Sequence, residues 1–123
     1  MPYDGKGAAS FADSHAQAAS TQNCARYVRR AIEWGGISLP HTHDAKDYGR
    51  ILEASGFYEV NGAPQPGDVA VIQGFSGHLQ GHMAIFDGTV WISDFKQRAG
   101  PQGFYPGPEY RSAQPSYKIY RDD

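Results

Sequence analysis

The sequence predicts an α+β fold with N-terminal helices packed on an antiparallel β-sheet. Three observations carry this: helical periodicity confined to the first half, β-rich runs confined to the second, and an Asp87-Gly88 step joining two of those runs as a hairpin. The 123 residues are one domain's worth, so residues 1–123 are expected to form one catalytic-sized unit with a core of its own.

Residues 1–19 carry little periodicity and read as an irregular lead-in, with a short helix near residues 10–19. From Ser20 the pattern changes. Cys24, Tyr27, Val28, Ala31 and Ile32 fall on one helical face, while Arg26, Arg29, Arg30 and Glu33 take the other and read as a solvated surface. N-cap residues Ser20, Thr21 and Asn23 precede the stripe and Gly35-Gly36 ends it, which predicts a helix over 21–34. A second, shorter helix is expected over 44–55, ended by Gly56. Pro64-Gln65-Pro66-Gly67-Asp68 is a turn, and Val69-Ala70-Val71-Ile72 after it reads as a buried strand. Residues 74–81 form a loop, 82–86 and 89–95 the arms of the hairpin, 96–115 a long ordered loop, and 117–120 a closing strand.

Composition excludes several functions. Eleven Lys and Arg against 13 Asp and Glu leave a net charge of −2, so the basic footprint of a nucleic-acid binder is missing. No apolar run approaches the roughly 20 residues of a membrane span. Residues 1–19 lack the basic-then-apolar order of a secretory signal peptide, and synthesis in the cytoplasm is expected. The single cysteine, Cys24, permits neither an internal disulfide nor a multi-thiolate metal site. His41-x-His43-Asp44 and His78-x-x-x-His82 offer zinc-type ligands, but the first lies in a Pro loop and Gly81 breaks helical geometry before His82. No metal and no cofactor are therefore expected.

Cys24 falls in the first turn of its helix, where the macrodipole and unpaired N–H groups favour a thiolate and can hold the oxyanion of acyl transfer. His82 opens a strand just after a glycine-rich loop, at the end of the sheet, where a base can reach a helix-borne thiol. Taken separately, Cys24 is a small core residue and His82 an exposed strand start.

Together, and in this order, Asn-Cys-Ala-Arg-Tyr-Val at 23–28, Pro-Gly-Asp-Val-Ala-Val-Ile at 66–72 and Gly-His-Met-Ala-Ile-Phe at 81–86 resemble the CHAP amidohydrolase/peptidase family. They are also similar to the NlpC-type cell-wall peptidases. Both are papain-like cysteine hydrolases, and the resemblance covers residues 20–95. It implies a papain-like fold, a nucleophilic Cys24, a general base His82 and a polar third residue on the following strand. Spacing favours Asp94 for that third role. A plain two-residue turn at Asp87-Gly88 would instead pair Phe86 with Thr89 and set Ser93 beside His82, so Asp94 requires an extra or bulged residue. The Cys24 N–H, helped by the Gln22 or Asn23 side chain, is expected to hold the oxyanion.

The implied substrates are the stem peptides of peptidoglycan or their cross-links. Small members without a leader look like type VI secretion amidase effectors or phage lysis enzymes, which implies delivery to a periplasm and an immunity protein as partner. Two rival readings stand beside this one: a Cys/His deamidase or protease toxin acting on a host protein, and a non-enzymatic papain-like binding module with Cys24 in the core.

Overall fold

The computed structural model describes residues 3–100 and 102–122. Met1 and Pro2 of the expected lead-in, Pro101 of the expected loop and Asp123 lie outside the described residues. In chain order the elements are α1 (Gly5–His15), α2 (Cys24–Trp34), a 3-10 turn (Ala45–Asp47), α3 (Tyr48–Ala54), β1 (Tyr58–Val60), β2 (Val69–Ile72), β3 (His82–Phe86), β4 (Trp91–Ile92), α4 (Pro108–Ala113) and β5 (Tyr117–Arg121). The strands form one antiparallel sheet in the order β1-β5-β2-β3-β4.

The sheet separates two cores. Val69, Val71, Met83, Ile85 and Ile92 point toward the helices and pack against Val28, Ala31 and Ile32 of α2 and Ala8 and Ala12 of α1. Ala70, Ile72, Ala84 and Trp91 point the other way, under Phe104, Tyr105 and Tyr110. The period-2 alternation of a strand thus feeds both layers. Ile32 has no exposed surface, and truncating it to Ala should cost about 2–5 kcal/mol. On β5, Arg121 clamps the buried Asp68 through Nε and Nη2, at 2.9 and 2.8 Å, tying β5 to the turn that leads into β2.

Three expectations are corrected. The lead-in is helical from Gly5 to His15, because Asp4 caps it by accepting from the Gly7 N–H at 2.9 Å and its small residues Ala8, Ala9 and Ala12 allow close packing. Alanines carry little amphipathic signal, so periodicity alone did not mark it. The long loop contains α4: Gly107 precedes Pro108 at a first-turn position where a missing N–H costs nothing, and Gln114 ends it in the left-handed region. The expected strand over 89–95 is reduced to Trp91–Ile92, and Phe86 pairs with Trp91 rather than with Thr89. The Asp87 carboxylate accepts from both the Thr89 and the Val90 N–H at 2.7 Å, which holds open a loop of four residues, 87–90. Sequence also gave no sign of β1, three residues that pair only with β5.

Candidate active site

α2 begins at Cys24, so the thiol sits where the first helical N–H groups lack intrahelical partners. Ala25, Met83 and Cys24 itself turn backbone N–H groups toward the sulfur. Burial nevertheless outweighs them and pushes the thiol up to about 11, with the Asp94 charge adding to the rise. Burial thus works against the helix-terminal thiolate expected from sequence and favours the neutral thiol.

His82 opens β3 and is buried on the Trp91 and Tyr110 side of the sheet, its ring centroid 5.8 Å from that of Tyr110. Gly81 lets the strand start there. Its φ of +73° lies in the left-handed region, and a Cβ would run into the Ile72 carbonyl and, at 2.7 Å, the Lys46 side chain. The Gly81 carbonyl accepts from the Tyr110 hydroxyl at 3.1 Å. Burial lowers the His82 imidazole to about 4, against the opposing pull of its Gln97 hydrogen bond and of the Asp94 charge.

The partner of His82 is Gln97. Its Oε1 lies 2.7 Å from His82 Nε2, while its Nε2 donates to the carbonyls of Gly103 at 3.1 Å and Phe104 at 2.7 Å. Two carbonyls can be satisfied only by the amide NH2, so Oε1 must accept and His82 Nε2 must carry the proton. The neutral imidazole is thereby left with its lone pair on Nδ1.

Asp94 does not fill that role. All three of its donors at Oδ2 come from the segment before α2: the Thr21 N–H at 2.5 Å, the Thr21 hydroxyl at 2.7 Å and the Asn23 N–H at 3.2 Å. Burial alone would raise its carboxyl, but these hydrogen bonds outweigh it and hold the group below the usual carboxylate range. Ser93 does not meet His82 either, and its hydroxyl donates to Asp94 Oδ1 at 3.1 Å. The physical reason is parity. The observed loop exceeds the plain turn by two residues, an even number, so it moves the register without exchanging faces.

Gln97 arrives because the chain reverses at once after β4: Ser93 N–H donates to the Phe95 carbonyl at 3.0 Å and Ile92 bridges to Lys96. Sequence reasoning missed it. The available signal was Ser93-Asp94, two turn-forming residues directly after a short apolar run.

The segment that Asp94 holds contains Gln22 at φ 64°, a left-handed conformation unfavourable for a side-chain-bearing residue and fixed by hydrogen bonds on either side. The Asn23 side chain is turned back onto the Thr21 carbonyl and hydroxyl, at 3.0 and 3.2 Å, rather than toward the thiol. Gln22, Asn23, Cys24 and His82 line one cleft of about 780 Å³. Arg26 and Arg29, expected on a solvated face, line it too. Among the described residues no group of three or more His, Cys, Asp or Glu is arranged to hold a metal ion. His43 pairs with Asp44 at 3.1 Å, and His41 lies 4.0 Å from Glu33.

Residues 14–95 match the CHAP domain family. A solved structure of the native type VI effector-immunity complex Tae3-Tai3 from Ralstonia pickettii contains a chain 60% identical to this one. The match covers 97% of this chain and 98% of that one, with a TM-score of 0.91. In the selenomethionine form of the complex the corresponding figures are 59%, 94%, 99% and 0.88. No curated protein matches.

Proposed function

The chain belongs to the CHAP domain family, and from that premise we propose that it is a cysteine amidase that cuts amide bonds of peptidoglycan stem peptides through an acyl-enzyme. Family membership and likeness to a type VI effector support a peptidoglycan hydrolase. The observation that carries the cysteine mechanism is the tautomer lock on His82, which leaves Nδ1 as a base in the cleft that also holds Cys24.

Cys24 Sγ attacks the scissile carbonyl carbon while its proton passes to His82 Nδ1, so the neutral resting pair becomes charged only as the bond forms. The negative oxygen is held by N–H groups of the first turn of α2, that of Cys24 foremost. The imidazolium then protonates the leaving nitrogen, the C–N bond breaks, and a thioester remains. Water attacks the thioester, giving its proton to Nδ1, and the thiol is regenerated as the acid leaves. Gln97 positions the imidazole, and Asp94 positions the segment from which the oxyanion donors project. Neither touches substrate.

By the same reasoning this chain is a type VI effector delivered to the periplasm of a target cell, with an immunity protein as its partner; 60% identity along nearly the whole length supports both. No helix among the described residues is long and apolar enough to cross a membrane. Digestion of purified cell wall followed by mass analysis of the released muropeptides tests the reading. Amide-cleaved fragments with the wild-type protein and none with Cys24→Ala are expected. Intact muropeptides with both would overturn it and turn the search to a protein substrate.

A further inference from the structure

We propose that Arg26 and Arg29 form a carboxylate-binding subsite beside the nucleophile, which selects stem peptides whose carboxylate near the scissile bond is free rather than amidated. This deepens the amidase reading and rests on it for the identity of the ligand.

The two arginines are spaced i, i+3 on α2 and so lie next to each other on one helix face. Both line the cleft that contains Cys24, whereas Arg30 does not. Among the described residues no carboxylate pairs with Arg26. Glu109 is the carboxylate among the described lining residues, and it is engaged with His78 at 2.9 Å. Arg29 is anchored by one contact, Nη1 to Glu33 Oε1 at 3.3 Å, with its side chain only 15% exposed. That contact orients the guanidinium and leaves most of its five donors unspent.

Helix electrostatics points the same way. The first turn of a helix favours acidic residues, yet α2 has none there and places Arg26 against the positive end of the macrodipole. A local rule broken at the mouth of a cleft marks a position kept for ligand rather than for stability. An incoming carboxylate supplies the missing negative charge and meets the planar fork that binds it bidentately.

The test measures binding to Cys24→Ala protein, which cannot turn the ligand over. The probes are an alanyl-γ-glutamyl-diaminopimelyl-alanine stem peptide and its forms amidated singly at the glutamate or the diaminopimelate carboxylate. We expect one amidation to weaken binding by about tenfold or more, and Arg26→Gln in the same background to erase that difference while the amidated form binds as before. Arg26 is exposed, so this variant retains the fold; Arg29→Gln introduced alone should narrow the difference as well. Equal affinity for all three peptides, no binding of the free acid, or a preference that survives both substitutions would overturn the subsite. Discrimination by Cys24→Ala protein without any turnover by the wild type would instead overturn the amidase reading and leave the subsite standing.

Discussion

Gln97 Oε1 accepts from His82 Nε2 at 2.7 Å, and this contact decides which imidazole nitrogen can act as a base. Gln97→Ala should lower kcat/KM by about ten- to a hundredfold, because it frees the tautomer and ring orientation and strands the Gly103 and Phe104 carbonyls. The Gln97 bond favours the imidazolium, so its loss should also move the acid limb of the pH–rate profile downward. An unchanged limb with reduced stability would assign Gln97 a purely structural role.

Cys24→Ala should abolish hydrolysis and leave the fold intact, with a stability change of no more than about 1–2 kcal/mol for removing one partly buried sulfur. His82→Ala should cost several orders of magnitude in kcat. Circular dichroism beside the activity assay separates lost chemistry from lost structure, and activity of Cys24→Ala within tenfold of wild type would contradict the mechanism.

Asp94 should respond in steps. Asp94→Asn keeps an acceptor facing Thr21 and Asn23 but loses the charge, and should be milder than Cys24→Ala. Asp94→Ala leaves three donors at Oδ2 unmatched and should cost about 1–3 kcal/mol of stability as well as activity. Because the Asp94 charge raises both Cys24 and His82, its removal should lower the apparent pKa at each end of the pH profile. Thermal melts and pH–rate curves of the two variants check both statements.

The ordinary value of a histidine is 6.5 and His82 is held near 4, so the unfolded chain takes up a proton between those values that the folded protein refuses. Stability should therefore be unaffected by this group above pH 6.5, fall as the pH drops from 6.5 to 4, and level off below, by roughly 3 kcal/mol at the limit. His82→Asn should flatten this part of the stability curve in denaturant titrations. The neutral pair also predicts slow alkylation of Cys24 by iodoacetamide at pH 6, rising toward alkaline pH. Fast alkylation independent of pH from 5 upward would reveal a resting thiolate–imidazolium pair.

The meeting of Cys24 and His82 at one cleft was legible in the sequence because each sits on a strong local signal: the start of an amphipathic stripe for one, a glycine followed by a continuous apolar strand for the other. Gln97 was not, because the reversal that delivers it follows a strand of only two residues and carries neither Gly nor Pro. Asp94 was found, but its partner was misread. Residue spacing cannot tell which face of the sheet a side chain serves once a carboxylate such as that of Asp87 takes over the hydrogen bonds of the turn. α1 and α4 were hidden for opposite reasons, one by alanines with no amphipathic contrast and the other by Gly-Pro steps that read as loop while in fact opening a helix.

The position of β5 has a consequence for synthesis on the ribosome. β5, made after the four other described strands, sits between β1 and β2, so the sheet cannot close from its N-terminal side as the polypeptide emerges. β1 has no neighbour until β5 arrives, and until then the Asp68 carboxylate lacks Arg121. The nascent chain thus carries Cys24, and later His82, before β5 completes the sheet, and the proposed pair is expected to work only once that strand is in place.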